Sequence, residues 1–279
     1  KNVEAISNEA IVSFYIELGQ NTAEDFSWII DQYDNGGHLI HIAMNFPGEA
    51  NTPSEILSGK CDDNIKKTLS YISKLKSPVL LRIGGEMNLW DVDPNEFKNA
   101  FIKVADLARS MAPNAAIVWS PNHVGAWGSS VEEFYPGDFY VDWIGMSLYT
   151  NSEVKGDDRY SDDSMYFGRG AFSDPILSAR EVAEFAEEHS KPVIVTEGGT
   201  GIISNLTNEN LELDAGAKIS KVYSSLNMVY PNIKAIIYFD TDLSYEKYRY
   251  SMSNSSFVRD AYNRAVKNNP TLISKAGGS

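Results

Sequence analysis

The sequence predicts an α/β protein built as a (β/α)8 barrel, and three observations support this fold class. Short continuous apolar runs alternate with segments of helical periodicity along almost the whole chain. The runs are rich in Val, Ile and Leu at successive positions, as in parallel strands that helices cover on both faces. Two of the runs end in a glutamate, Glu86 and Glu197, where α/β barrels place their catalytic side chains.

Seven strand-like runs begin near residues 11, 39, 79, 116, 143, 193 and 233. A closed barrel of this type has eight strands. We therefore expect the first strand either at residues 1–7, where it would be short or degenerate, or upstream of this chain. An open doubly wound sheet is the alternative. Its glycine-rich turn has one candidate, residues 198–201, and the spacing of the glycines there does not match.

The predicted helices share apolar residues at three- and four-residue spacing. They are expected after Thr22, over residues 64–75, after Asp93, over residues 178–189 and 217–230, and from Ser255 to Pro270. Thr22 with Asp25 is a capping signal, and Pro94 follows Asp93 at the first helical position. This alternation predicts a single barrel domain over residues 1–274, with residues 275–279 as a linker or scar.

Composition excludes several classes of function. The chain has 279 residues, 43% of them hydrophobic and 22% charged, as in ordinary globular proteins. Its net charge of −14 argues against nucleic acid or an anionic membrane as partner. Cys61 is alone and the four histidines are scattered, so neither a disulfide nor a zinc site is expected, and no cofactor is needed. Because the chain begins at Lys1 without an apolar signal segment, we expect a processed product or a piece of something longer.

The two strand-end glutamates suggest a chemistry. Glycosidases that retain configuration use one carboxyl as general acid and a second, about 5–5.5 Å away, as nucleophile. Glu86 and Glu197 are far apart in sequence and meet only if their strand ends converge, as they do in a barrel. The alternative is that both are ordinary loop carboxylates of an acidic chain.

The surroundings of these glutamates resemble glycoside hydrolase family 26, the β-mannanases and related β-glucanases of clan A. Residues 78–90 read Pro-Val-Leu-Leu-Arg-Ile-Gly-Gly-Glu-Met-Asn-Leu-Trp and are similar to the family's acid/base motif. Residues 134–145, with Tyr-Pro-Gly-Asp, are similar to the family's approach to strand 6. Residues 56–63, 118–122 and 195–199 resemble other family segments. The resemblance implies a barrel with Glu86 as acid/base after strand 4 and Glu197 as nucleophile after strand 7.

One residue departs from the family pattern. Family members carry a histidine immediately before the acid/base, and this chain has Gly85. That histidine helps to shape the subsite beside the cleaved bond. We expect its loss to change the sugar preference or the pKa of the acid, or to weaken or abolish activity.

Further residues are candidates for substrate binding. Tyr149 matches a clan position whose phenol hydrogen-bonds the nucleophile. Asn88 and Arg82 are expected to orient carboxylates or sugar hydroxyls, with a structural ion pair as the alternative for Arg82. The remaining candidates lie near strand ends. Trp90, Trp119 and Trp127 are expected as aromatic platforms for a sugar, although Trp119 is the one most expected in the core instead. Asn122 and His123 are expected as ligands of sugar hydroxyls. Asp240 and Asp242 are expected either to bind sugar hydroxyls or simply to cap the loop. Residues 150–174 form the longest irregular segment and are expected to shape the cleft.

The leading hypothesis is a retaining endo-glycoside hydrolase that cleaves a β-linked polysaccharide of mannan or glucan type. The alternatives are a catalytically impaired carbohydrate-binding barrel, suggested by Gly85, and an enzyme that trims the producing cell's own exopolysaccharide. A polysaccharide substrate predicts an extracellular or cell-surface protein of bacterial type. We expect a monomer or one module of a larger protein.

Overall fold

The computed structural model describes residues 9–46, 52–89, 92–122, 130–151 and 174–272 of the chain. Seven parallel strands form one curled sheet in the order β1-β2-β3-β4-β5-β6-β8. They are β1 (Ile11–Glu17), β2 (Leu39–Asn45), β3 (Val79–Ile83), β4 (Ala115–Trp119), β5 (Trp143–Tyr149), β6 (Val193–Gly199) and β8 (Ile233–Ile236). A short antiparallel ribbon pairs β7 (Ile203–Ser204) with β9 (Tyr248–Arg249).

All seven strands predicted from the sequence are present, and each pairs in parallel with its predicted neighbour. This is the sheet of a TIM-type barrel lacking one strand between β1 and β8 in the described residues. The prediction of a first strand within residues 1–7 lies outside those residues.

Helices lie between the strands, and their starts follow the capping signals. They are α1 (Ser27–Tyr33), α2 (Thr52–Leu57), α3 (Asp62–Ile72), α4 (Pro94–Met111), α5 (Pro175–Glu188), α6 (Glu212–Val229) and α7 (Ser256–Asn268). Asp93 accepts hydrogen bonds from the N–H groups of Asn95 and Glu96, as a cap should. The capping box at Thr22 starts a 3-10 turn, Ala23–Phe26, which leads into α1. The sequence analysis did not predict α2, which is only six residues long. No helix of the described ranges is long and apolar enough to cross a bilayer.

The two faces of the sheet bury different side chains. The outer face carries residues such as Ile16, Met44 and Trp119, which pack in the large core beneath the helices. The inner face begins with an apolar layer at the amino ends of the strands, where Leu80, Val118 and Ile194 meet. This separation follows from the two-residue alternation of side chains along each strand.

Above that apolar layer, the inner face becomes polar. The Ser13 hydroxyl lies 2.7 Å from Nδ1 of the buried His41, and the Ser120 hydroxyl lies 2.8 Å from that of Thr196. Gly145 provides the room, because a Cβ there would lie 2.7 Å from side-chain carbons of both Ser120 and Thr196. Polarity therefore increases toward the carboxyl ends of the strands, where the candidate site lies.

Candidate active site

Glu86 stands on a tight turn directly after β3. Its backbone has a φ of 60°, in the left-handed region that non-glycine residues rarely adopt, and Gly84 before it has a φ of 52°. The N–H of Glu86 donates to the carbonyl of Ser120 at 2.9 Å, which ties the turn to the end of β4. Such a conformation costs on the order of 1 kcal/mol and is typical of functional sites, where neighbouring contacts hold it in place.

Glu197 lies within β6, one layer above the polar interior. The prediction placed it after a strand ending at residue 196, whereas β6 continues to Gly199. The β5–β6 register shifts between Met146 and Ser147, so that Glu197 pairs with Ser147. This irregularity lets the side chains of Thr196 and Glu197 both reach the interior, although neighbouring residues of a regular strand point to opposite faces.

Three donors surround the Glu197 carboxylate, which is only 7% exposed. Arg82 Nη2 lies 2.9 Å from Oε1, and the Ser147 hydroxyl donates to the same oxygen at 3.0 Å. The Tyr15 hydroxyl donates to Oε2 at 3.0 Å. An ion pair and two hydrogen bonds compensate a buried negative charge, so the site is built for an ionised carboxylate.

Glu86 has a different environment. Its Oε1 accepts a 2.6 Å hydrogen bond from Nδ2 of Asn122. Burial raises the pKa of Glu86, and the negative charge of Glu197 raises it further, while Arg82 and the Asn122 hydrogen bond act in the opposite direction. The net shift is upward, so Glu86 holds a proton at a higher pH than an ordinary glutamate does. One carboxyl is equipped to stay ionised and the other to carry a proton.

The hydroxyl of Ser147 contacts both carboxyl groups. It also accepts a hydrogen bond from Arg82 Nη2 at 3.1 Å. A hydroxyl has a single proton to donate, and two ionised carboxylates around it would compete for that proton. A proton on Glu86, whose pKa is raised, removes this competition. Glu86 and Glu197 thus meet at one hydroxyl, as the converging strand ends of a barrel led us to expect.

Arg82 and Asn88 support the site from below. Both side chains are buried, so neither is placed to touch a sugar. Arg82 forms an ion pair with Glu197 and so orients a carboxylate, the first of the two roles expected from the sequence. Asn88 donates to the carbonyl of Asn122 at 3.0 Å and accepts from its N–H at 2.8 Å. The other expected role, contact with sugar hydroxyls, does not fit these two buried side chains, which hold Glu197 and Asn122 in place. Asn122 itself contacts Glu86.

The phenol that reaches the Glu197 carboxylate belongs to Tyr15. The prediction gave this hydrogen bond to Tyr149, whose ring instead packs against Phe239 at 5.9 Å and Tyr250 at 5.5 Å between centroids. Tyr15 is on β1, adjacent to the gap in the sheet, and alternates in phase with Ser13 on the inner face. Tyr149 lies in the wall beside the site.

Trp119 is a core residue and not a sugar platform, which is the alternative that the sequence favoured for it. Its side chain is fully buried on the outer face of β4, between Tyr135 at 5.0 Å and Phe185 at 5.8 Å. A platform needs an exposed ring face, which this position lacks. Trp90, Trp127 and His123 lie outside the described residues, as do residues 152–173 of the long irregular segment.

Asp240 and Asp242 fix the loop after β8. Asp240 accepts from the N–H of Met252 at 2.7 Å, and Asp242 accepts from the N–H of Ser251 at 3.0 Å. These bonds favour the loop-capping alternative over sugar binding. In the described ranges, no three His, Cys, Asp or Glu side chains are grouped to hold a metal ion.

Sequence analysis missed three residues of the site: Tyr15, Ser147 and Phe239. The half-buried Phe239 ring lies edge-on to Tyr15, 6.4 Å between centroids, at the mouth of the interior. Each of the three occupies an inward-facing position near the end of a predicted strand. Counting alternate residues back from Tyr149, and along the runs at 11 and 233, would have selected them.

Comparisons with known proteins agree with this architecture. No family model matches the chain. A β-1,3-xylanase of a Vibrio species is 23% identical over 208 residues, which are 70% of this chain and 37% of that protein. The chain thus spans little more than a third of the length of this curated relative.

Solved structures of similar fold include a modular endo-β-1,4-mannanase of Cellulomonas fimi, with a TM-score of 0.66 and 16% identity. The alignment covers 98% of this chain and 66% of that one. A family 26 β-mannanase of Bacteroides ovatus gives a TM-score of 0.64 at 16% identity, covering 98% and 83%. The likeness to family 26 glycoside hydrolases, indicated by the sequence around Glu86 and Glu197, is therefore confirmed for the fold: this chain has the barrel architecture of those enzymes.

Proposed function

We propose that this chain is a retaining glycoside hydrolase that cleaves internal bonds of a β-linked polysaccharide. The contrast between the two carboxyl groups carries the proposal. Glu197 is surrounded by an arginine and two hydroxyl donors, while burial and the charge of Glu197 raise the pKa of Glu86. A nucleophile needs the first environment and a general acid needs the second.

In the first step, Glu197 attacks the anomeric carbon and forms a glycosyl ester. Glu86 gives its proton to the glycosidic oxygen as the bond to the leaving sugar breaks. The charge of Glu197 is then lost into the ester, so the pKa of Glu86 falls and Glu86 stays ionised, the form that acts as general base. In the second step it takes a proton from water, whose oxygen attacks the same carbon and releases Glu197.

The roles of Arg82, Tyr15 and Asn122 follow from these steps. Arg82 and Tyr15 hold the Glu197 carboxylate in one orientation before attack, and they stabilise it again when the ester breaks. The amide of Asn122 holds the Glu86 carboxyl next to the leaving oxygen. These side chains use interactions that exist before substrate arrives, which avoids reorganisation during the reaction.

The substrate class is a β-linked glycan of mannan, glucan or xylan type. The Vibrio relative is named a β-1,3-xylanase and the structural neighbours are named β-mannanases. Polymers of this kind are too large to enter a cell, so we also propose an extracellular or cell-surface location.

The test is a screen of the purified chain against β-1,3-xylan, β-1,4-mannan and mixed-linkage β-glucan, with chromatography of the products. We expect oligosaccharides of several lengths from at least one polymer. Glu197→Ala should release none. Glu86→Ala should be slow on the polymers, because the leaving sugar needs a proton. On a 4-nitrophenyl glycoside, whose leaving group needs none, the variant should still form the glycosyl ester and should regain turnover with azide, which attacks that ester without a general base.

A catalytically impaired binding barrel is the competing outcome, and Gly85 is the residue that suggests it. A binding barrel of this kind should bind oligosaccharides in calorimetry and should release no product from any polymer. Full activity in Glu197→Ala would overturn the proposed mechanism.

A further inference from the structure

A carboxylate and an amide lie side by side at the carboxyl ends of β1 and β2, outside the set of residues that contact Glu86 and Glu197. They are Glu17 and Asn45, which are paired in the register of the two strands. Nδ2 of Asn45 donates to Oε1 of Glu17 at 2.9 Å. Both side chains are half-buried.

The alternation of side chains places this pair over the catalytic interior. Ile16 and Met44 pack in the outer core, so their neighbours Glu17 and Asn45 belong to the inner face. On that face, Glu17 is the next residue beyond Tyr15, whose hydroxyl contacts the nucleophile. Two residues of a strand advance by about 7 Å, so the pair lies roughly one sugar unit above Tyr15.

The pair is held rigidly. The N–H of Glu17 donates to Oδ1 of Asn21 at 2.9 Å, and the N–H of Leu18 donates to the carbonyl of Asn45 at 3.1 Å. The mutual side-chain bond leaves Oε2 of Glu17 and Oδ1 of Asn45 without a hydrogen-bond partner among the described residues. Neither is a buried, unsatisfied atom. Two fixed acceptor oxygens on the inner face thus remain available to a ligand.

We propose that Glu17 and Asn45 form a subsite that binds two hydroxyl groups of the sugar next to the one attacked by Glu197. This inference rests on the proposed glycosidase function. Two acceptors require donors, and sugar hydroxyls are donors, whereas an anionic ligand would be repelled by the carboxylate.

The proposed subsite binds the part of the substrate that stays on the enzyme after the bond is cleaved. The leaving sugar departs from Glu86, whose turn is bound to Ser120 and whose carboxyl is bound to Asn122, on the β4 side of the site. Tyr15 approaches Glu197 from the β1 side. Glu17 and Asn45 continue along that side and therefore meet the sugar that precedes the attacked one.

The test compares aryl glycosides of one and two sugars, using 4-nitrophenyl β-xyloside with its β-1,3-xylobioside, and the β-mannoside with its β-1,4-mannobioside. The disaccharide occupies the subsite and the monosaccharide does not. In wild type the second sugar should raise kcat/KM. In Glu17→Gln and Asn45→Ala we expect a loss of about 10- to 100-fold on the disaccharide, the range for a hydrogen bond involving a charged group. The monosaccharide rate should stay within about twofold.

Glu188→Gln, the same change at an exposed position of α5, is the control and should alter neither rate. Thermal unfolding of each variant establishes that it is folded. An equal loss on both substrates, or no loss on the disaccharide, would overturn the subsite. If wild type cleaves neither series and releases no product from any of the three polymers, the glycosidase proposal fails instead. Calorimetry with xylobiose and mannobiose then tests the subsite. If Glu17 and Asn45 bind the sugar, wild type should bind at least one of these disaccharides more tightly than the Glu17→Gln variant does.

Discussion

The guanidinium group of Arg82 fills the space that a side chain at Gly85 would need. A Cβ at residue 85 would lie 2.2 Å from Cζ of Arg82, inside any permitted contact. Arg82 is 2% exposed and bound to Glu197 and Ser147, so it can yield only by breaking those bonds. The departure from the family motif is therefore coupled to the position of the arginine that pairs with Glu197.

Gly85→Ala should lower kcat/KM by about 10- to 100-fold, because displaced Arg82 no longer holds Glu197. Gly85→His, which restores the family residue, should be at least as damaging. Steady-state kinetics of Gly85→Ala, Arg82→Ala and the double variant provide the check. We expect the two losses to be strongly non-additive, since both act through one ion pair. A Gly85→His variant with wild-type or better activity would contradict the coupling.

Tyr15→Phe should reduce kcat by about 10- to 100-fold with little change in KM. It removes a hydrogen bond to the carboxylate of Glu197, and such bonds to charged groups contribute about 1.5–3 kcal/mol. Tyr149→Phe is the matched control. The Tyr149 ring packs in the wall beside the site, so removal of its hydroxyl should lower kcat only a few-fold. The opposite order of effects would restore the role first predicted for Tyr149.

Activity should decline at high pH as Glu86 loses its proton. Because the pKa of Glu86 is raised, this basic limb should lie above the value of about 4.3 for an ordinary glutamate. Asn122→Asp replaces a hydrogen-bond donor with a negative charge beside Glu86. Both changes favour the protonated acid, so the basic limb of kcat/KM should move to higher pH. A shift to lower pH would mean that another group sets this limb.

His41 should make the fold less stable in acid. It is fully buried and its pKa is lowered to about 3, first by burial and then by the charge of Arg82. The unfolded chain binds this proton near pH 6.5 and the folded chain near pH 3. The contribution of neutral His41 to the free energy of unfolding is therefore complete above pH 6.5. It is lost at about 1.4 kcal/mol per pH unit as the pH falls toward 3.

Urea unfolding of wild type and His41→Asn at pH 7 and pH 4.5 measures this contribution. The free energy of unfolding of wild type should fall by about 2 to 3 kcal/mol more than that of the variant between these two pH values. Asparagine is chosen because it keeps a polar group toward Ser13. Equal pH dependence of the two proteins would show that His41 is already protonated in the fold.

The parallel strands, most of the helices and the two glutamates could be predicted from the amino-acid sequence alone. These depend on local signals: continuous apolar runs, caps such as Asp93, and a carboxylate at a strand end. The short helix α2 and the strand limits around Glu197 were missed, because few residues fix them and the register shift depends on pairing with β5.

The side chains that contact Glu197 and Glu86 could be identified only from the three-dimensional arrangement of the strands. Tyr15 comes from β1, Arg82 from β3 and Ser147 from β5, and nothing in their sequence spacing relates them. Whether Tyr15 or Tyr149 reaches the carboxylate depends on how far each strand advances in the barrel, and the burial of Trp119 depends on which face of β4 carries it. Sequence patterns specify elements because backbone and apolar periodicities are local. Contacts between distant strands follow only from their register and the curvature of the sheet.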